Sequence, residues 1–181
     1  ESESRGLGDV YKRQDLFIVI AFRMLPKLIW TIPPLGTINL HTSLLPNYRG
    51  AAPINWVILN GEIKTGITTF FINENIDQGK IILNKEVKLS KDTTAAMLHN
   101  LLITYSKELL NQTIELFLNN TVVSHAQEHS QTIKMAPKLS KELCRINWSE
   151  SIDSINNKIH GLSPLLENNQ ILKDISICPS A

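Results

Sequence analysis

The chain has 181 residues, of which 43% are hydrophobic and 19% charged, with 18 Lys and Arg against 17 Asp and Glu. This composition is ordinary for a packed globular protein and excludes a disordered or fibrous chain. The formal net charge of +1 provides no bulk attraction to nucleic acid or anionic lipid, so any such contact has to be local.

The chain shows no sign of a membrane segment or a secretory signal. Its longest apolar run, residues 16–22, is far shorter than the roughly 20 residues that span a bilayer. The polar stretch before it lacks the basic start and cleavage site of a secretory signal. Cys144 and Cys178 stand far apart without a second ligand at metal-binding spacing, which fits reduced thiols. We therefore expect a cytoplasmic protein that makes no membrane contact.

The first elements of the chain read as two strands and a short helix. Residues 1–14 follow neither a helix nor a strand period. Residues 16–22 are β-branched and aromatic, which is typical of a strand buried on both faces of a parallel sheet. Residues 24–30 predict a short helix, and residues 37–40 predict a second strand that leads into a loop rich in Pro and Gly.

The remainder alternates helical and extended patterns. The predicted elements are a helical stretch at 51–59, strands at 67–72 and 80–89 joined by a turn-like segment at 73–79, a long amphipathic helix at 93–118 and a short helix around 151–160. Asp92 is the predicted N-cap of the long helix. This alternation predicts an α/β domain, followed after Asn119 by a polar connector.

A polar pair at the end of the second strand is the first candidate site. Side chains alternate along a strand, so Asn39 and His41 project on one face while Ile38 and Leu40 point into the core. Ligands of α/β folds bind outside the carboxyl ends of strands, where this pair should lie. Taken alone, Asn39 and His41 could simply bond nearby backbone groups.

The sequence around this pair carries a family resemblance. Residues 41–56 read HTSLLPNYRGAAPINW, and residues 75–79 read NIDQG. They resemble the folate-dependent formyltransferases, whose catalytic residues are an Asn and a His two apart, an S-L-L-P loop, and an Asp in a later D-x-G loop. The resemblance continues through AFRMLP, MAPKL, RINW and GLSP and covers about residues 15–164.

The resemblance implies catalytic roles for three residues. The family's reaction begins when a neutral amine attacks the formyl carbon of 10-formyltetrahydrofolate, and it builds a negatively charged oxygen. Asn39 would donate a hydrogen bond to that oxygen, and His41 would add a donor or move the proton. Asp77 would orient and stabilise the imidazole, or relay protons through a water.

The resemblance also implies a folate site, with folate as co-substrate and neither a metal nor a redox cofactor. One wall would be formed by Ser43, Leu44, Leu45 and Pro46, and a second by Phe22, Arg23, Met24 and Leu25. The structural alternatives are a proline turn with core leucines for the first segment and ordinary packing after a buried strand for the second.

Several branches of the family share the Asn, His and Asp set, so other segments have to separate them. RGAAPINW at 49–56, APKL at 136–139 and INW at 146–148 favour the branch that formylates initiator methionyl-tRNA at the start of translation, as a monomer when complete. Formylation of an aminosugar nucleotide is the alternative substrate class.

The resemblance further implies that the chain contains only part of the family's domains. Residues 1–14 look foreign to the fold, and 15–124 form the C-terminal part of a Rossmann-like formyltransferase domain. Residues 125–164 form a connector and the start of a C-terminal domain, leading toward a missing β-barrel, and 165–181 look unrelated. Two alternatives from other classes are an inactive truncated remnant and a nucleic-acid-binding module. The near-zero charge and the lack of an aromatic-basic motif disfavour the module.

Overall fold

A four-stranded mixed sheet organises the part of the chain that the computed structural model describes, residues 14–20, 24–128 and 132–163. The strands are β1 (Phe17–Ile20), β2 (Thr37–His41), β3 (Arg49–Gly50), β4 (Lys64–Phe71), β5 (Ile81–Lys88) and β6 (Met135–Ala136). The helices are α1 (Lys27–Trp30), α2 (Pro53–Leu59), α3 (Ala95–Leu118) and α4 (Ile152–Gly161). The main sheet has the order β1-β2-β4-β5, and β3 pairs with β6 in a second, two-stranded sheet.

The main sheet combines a parallel pair with an antiparallel hairpin. β1 and β2 run parallel, with Phe17 opposite Thr37. β4 runs antiparallel to β2, with Asn39 opposite Phe70, and continues into β5 through the polar loop that the sequence predicts. The α/β class and the strand pair are therefore confirmed.

The prediction that the first strand is buried on both faces is wrong. Ile18 is 38% exposed and Ile20 is 54% exposed. Within the described residues β1 pairs only with β2, so it lies at the edge of the sheet with one face uncovered. Residues 21–23, the end of the predicted run, lie outside the described part of the chain.

The long helix α3 packs against the hairpin. Its buried residues Ala95, Leu98, Leu102, Leu109 and Thr113 follow helical spacing, and most of them join one core with Ile67 and Val87 of the sheet. Thr113 also shares a buried hydrogen bond of 2.9 Å with Thr69 of β4. The helix is confirmed, but its N-cap is Thr94, whose side chain accepts from the Met97 amide at 3.3 Å. Asp92 was the wrong choice because the helix begins two residues later than predicted and the cap must directly precede it.

The segment predicted to be a polar connector packs onto the sheet. β6 pairs in parallel with β3, and His125 bridges to Ile81 at the start of β5. The predicted short helix is confirmed as α4, which is tied to α2 by a bond of 2.7 Å from the Asn55 amide to the Gly161 carbonyl. Among the described helices, none is long and apolar enough to cross a membrane.

Candidate active site

Asn39, His41 and Asp77 meet at the carboxyl end of β2. Asn39 and His41 belong to β2, and Asp77 lies in the loop between β4 and β5. All three line an open cavity of about 750 Å³. Asn39 and Asp77 also line a smaller cavity of about 130 Å³. The structure thus brings together the three residues that the resemblance singles out, although His41 and Asp77 are 36 positions apart in the chain.

A hydrogen bond from Nε2 fixes the orientation of the His41 ring. This nitrogen donates to the Tyr48 carbonyl at 2.8 Å. A carbonyl can only accept, so the neutral ring carries its proton on Nε2 and presents a lone pair at Nδ1. Phe70 meets the ring edge-on, with 6.5 Å between the ring centroids. The other nitrogen, Nδ1, therefore remains available for proton transfer.

Asp77 faces that second nitrogen. Its Oδ2 atom lies 3.9 Å from His41 Nδ1, within ion-pair distance when the ring is protonated but too far for a direct hydrogen bond. The same oxygen accepts from the Gly50 amide at 2.9 Å. Asp77 has a φ of 54°, in the left-handed region that few non-glycine residues occupy.

Asn39 contributes an amide with unused hydrogen-bonding capacity. Its Oδ1 atom is buried and has no hydrogen-bond partner among the described residues. Leaving a buried amide oxygen unpaired costs about 1–3 kcal/mol. Such a cost is expected where a side chain is kept for a ligand rather than for the fold.

The eight predicted folate-site residues divide into three groups. Met24 and Leu25 line the smaller cavity together with Asn39 and Asp77. Phe22 and Arg23 lie outside the described residues. Ser43, Leu44, Leu45 and Pro46 line neither of these two cavities beside Asn39, His41 and Asp77.

The described contacts of the S-L-L-P loop lie within the fold next to the site. Ser43 is buried and donates from Oγ to the Asn47 carbonyl at 2.7 Å. Leu45 packs in a small core with Phe70 and Ile81, and Leu44 lies against Gly66. The loop ends at Tyr48, whose carbonyl orients His41.

Tyr48 itself is fixed by a cluster that the sequence analysis did not identify. Its hydroxyl donates to Glu62 at 2.5 Å and accepts from the Asn60 amide at 3.1 Å, and Lys134 pairs with Glu62. Burial, together with the bond to Glu62, raises the pKa of Tyr48 well above its usual value. Burial alone would raise the pKa of Glu62, but the bonds from Lys134 and Tyr48 outweigh it and hold that pKa below its usual value.

A second unpredicted group joins Arg49 to the Asp77 loop. The buried Arg49 guanidinium donates from Nε and Nη2 to Gln127 Oε1, at 3.1 and 2.5 Å. Burial lowers the pKa of Arg49, and the nearby negative charge of Asp77 acts in the opposite direction. Gln127 lies in a polar stretch without periodicity, so the sequence carries no signal for this contact.

The α/β fold has a mixed sheet that presents an Asn and a His at a strand end, opposite an Asp from a neighbouring loop. This arrangement is expected of a formyl-transferring domain. Residues 7–114 match the family described as formyl transferase, and the chain belongs to that family. Within the described residues, no group of three or more His, Cys, Asp or Glu could hold a metal ion.

Two bacterial relatives show how much of a longer protein the chain resembles. It is 53% identical over 150 residues to the methionyl-tRNA formyltransferase of Flavobacterium johnsoniae, which covers 83% of the chain and 48% of the relative. It is 46% identical over 155 residues to the enzyme of the same name from Bacteroides thetaiotaomicron, covering 84% of the chain and 48% of the relative. The chain therefore spans about half the length of these relatives.

Two solved structures share the fold. An N-formyltransferase of Helicobacter canadensis, in complex with folinic acid and dTDP-3-aminofucose, superposes with a TM-score of 0.63 at 27% identity, covering 68% of this chain and 46% of that one. A Mycobacterium tuberculosis protein described as a likely sugar N-formyltransferase superposes with a TM-score of 0.74 at 19% identity, covering 86% and 67%. The second likeness concerns the fold alone.

Proposed function

We propose that the protein containing this chain transfers a formyl group from 10-formyltetrahydrofolate to the amino group of initiator methionyl-tRNA. The observation that carries the proposal is the meeting of Asn39, His41 and Asp77 at one open cavity. The substrate is suggested by the relatives of 53% and 46% identity, both named methionyl-tRNA formyltransferase. The protein would act in the cytoplasm, without a metal and as a monomer.

The reaction makes one bond to the formyl carbon and breaks another. The methionyl amine attacks that carbon, a C–N bond forms, and the bond from the carbon to N10 of the folate then breaks. The amine loses a proton and N10 gains one. Between these steps the formyl oxygen carries negative charge, which hydrogen-bond donors must stabilise.

The three residues match these requirements. The Asn39 amide would donate to the negatively charged oxygen. His41 Nδ1 would accept the amine proton and return it to N10, because Nε2 is occupied by the Tyr48 carbonyl. The Asp77 carboxylate, 3.9 Å from Nδ1, would stabilise the imidazolium that forms.

The smaller cavity is the proposed site for the pterin ring of the folate. Met24 and Leu25 offer apolar contacts on one side, and residues 73–76 offer polar groups on the other, which suits a flat ring with polar edges. Phe22 and Arg23 would extend the first side. Ser43, Leu44, Leu45 and Pro46 would act by holding the loop that carries Tyr48. The folinic acid held by the Helicobacter canadensis relative supports a folate ligand.

An aminosugar nucleotide is the second candidate acceptor. It is favoured by the Helicobacter canadensis structure, which contains dTDP-3-aminofucose. That relative is 27% identical to the chain, against 53% for the Flavobacterium johnsoniae methionyl-tRNA enzyme. The tRNA substrate is therefore preferred.

A side-by-side transfer assay separates these candidates. The protein from the complete reading frame is given radiolabelled 10-formyltetrahydrofolate with either initiator methionyl-tRNA or a dTDP-aminosugar. We expect label to enter the tRNA only. Label confined to the aminosugar would overturn the tRNA proposal. A folded protein that labels neither acceptor would overturn formyl transfer to both classes and favour an inactive remnant.

A further inference from the structure

The buried side chain of Gln127 uses all of its hydrogen-bonding capacity around the Asp77 loop. Its Nε2 atom donates to the Asp77 carbonyl at 2.9 Å and to the Gly79 carbonyl at 2.8 Å. Its Oε1 atom accepts both bonds from Arg49. A reversed amide would point donors at a guanidinium and an oxygen at two carbonyls, so only one orientation satisfies these partners.

These bonds join the two segments that locate the Asp77 carboxylate. On one side Gln127 holds the backbone of Asp77, whose left-handed conformation persists only where surrounding structure enforces it. On the other side it holds Arg49, the direct neighbour of Gly50. The Gly50 amide donates to the carboxylate itself. Both the backbone and the side chain of Asp77 therefore depend on contacts anchored at Gln127.

The geometry points to Gln127 as a positioning residue that keeps the Asp77 carboxylate facing His41 Nδ1. Gln127 lines neither cavity around the trio, so it acts through Asp77 and not on substrate. This inference rests on the proposed function for its kinetic consequences. Displacement of a catalytic group by about 1 Å can cost about 100-fold in rate. The loss should appear in kcat, because the Asp77 carboxylate is proposed to stabilise the imidazolium that forms only during the reaction.

The kinetic test uses the protein from the complete reading frame. Gln127→Met keeps the length of the side chain and removes its four bonds, and we expect kcat to fall about 10- to 100-fold while both KM values stay within about twofold. Adding Gln127→Met to Asp77→Asn should cost less than about threefold more, because residues that act through one contact are not additive. Thr113→Val, which removes a buried bond to Thr69 away from the site, should leave kcat unchanged.

A second variant guards against a general loss of folding. Gln127→Glu keeps the acceptor for Arg49 but replaces both donors to the loop, so it should lower kcat in the same way as Gln127→Met. An unchanged kcat in either folded variant would overturn the inference. A loss confined to KM would also overturn it. So would an equal fall in kcat when Gln127→Met is added to the wild type and to Asp77→Asn.

A substrate-free measurement separates this inference from the proposed function. The imidazole signals of His41 are assigned by NMR, by comparison with His41→Asn. Both Gln127→Met and Asp77→Asn should shift them, whereas Thr113→Val should not. If the wild-type protein formylates neither acceptor, the proposed function fails but the His41 spectrum still decides whether Gln127 positions Asp77. Unshifted His41 signals in folded Gln127→Met would overturn that role.

Discussion

At the scale of single residues, hydrogen bonds within the fold orient the side chains of the site, and other atoms of the same side chains stay free for substrate. Tyr48 fixes the His41 ring through Nε2, and Gly50 fixes the Asp77 carboxylate through Oδ2. His41 Nδ1 and the Asn39 amide oxygen have no hydrogen bond to the described residues. The proposed proton transfer would use His41 Nδ1, and the NH2 group of the Asn39 amide is the proposed donor to the formyl oxygen.

Removing the imidazole tests this division directly. His41→Ala should lower the transfer rate by about 100- to 10,000-fold, the usual contribution of a positioned acid or base. The fold should persist, since the ring makes one hydrogen bond. The matched control is His125→Ala, because His125 is exposed and its hydrogen bonds to Ile81 of β5 come from its backbone. Single-turnover transfer and thermal melting are measured on both variants, and near-normal transfer by folded His41→Ala would refute the proposed role.

Glu62 gives the fold a predictable response to acid. Its pKa is lowered in the folded state, so its stabilising effect is complete above the ordinary Glu pKa of about 4.3 and is lost as pH falls through the folded value. Glu62→Gln should cost about 1–2 kcal/mol of unfolding free energy at pH 7 and progressively less below about pH 4.

The check for Glu62 is a series of melting temperatures between pH 7 and pH 3.5. Glu86→Gln serves as the control, since Glu86 pairs with Lys64 on the surface and should contribute little. A stability difference between wild type and Glu62→Gln that stays constant across this range would contradict the assignment.

At the scale of secondary structure, the sequence predicted elements whose pattern is local. The β2 strand, the β4–β5 hairpin, α3 and α4 all follow from apolar periodicity and turn residues. The pairing of β3 with β6 involves two residues on each side and is set by tertiary contacts, so it has no periodic signal. Burial of β1 was mispredicted because the residues of a strand do not reveal whether a layer covers each face.

The candidate site shows the same limit. Asn39, His41 and Asp77 could be proposed from the sequence because the motifs that contain them are local. Gln127 and Glu62 were missed because their partners are 78 and 14 residues away, respectively, and become neighbours only in the fold. The S-L-L-P loop was also predicted from its motif, and its role in binding folate stays a prediction.

Substitutions in α3 test how much its buried face contributes to the free energy of unfolding. Leu102 is 1% exposed within the main core, whereas Leu118 at the end of the same helix is 76% exposed. Leu102→Ala should cost about 2–5 kcal/mol through lost burial and a cavity, and Leu118→Ala less than about 0.5 kcal/mol. Chemical denaturation of both variants measures the difference. Equal losses would show that α3 does not pack as described.

At the scale of the whole molecule, the described chain has one face with exposed apolar side chains, at the larger cavity. Ile20 on β1 and Ile103 on α3 both line the larger cavity and are 54% and 44% exposed. Exposed apolar side chains at one cavity favour association with another surface, and within the described part of the chain β1 adds an unpaired sheet edge beside them. The relatives are about twice as long as the matched region, so additional polypeptide is one way to cover such a face.

The 181-residue chain by itself should therefore associate through this face. Replacing Ile20 with Thr and Ile103 with Gln should lower light scattering and binding of a hydrophobic dye, because both changes remove exposed apolar area from one surface. Ile63→Thr is the matched control, since Ile63 is 78% exposed directly before β4 and lines neither cavity around Asn39, His41 and Asp77. Equal effects of the control and the double variant would show that exposed isoleucine in general, and not this face, drives association. A sharp, concentration-independent melt of the unaltered chain would show that the face is stable in water without a partner.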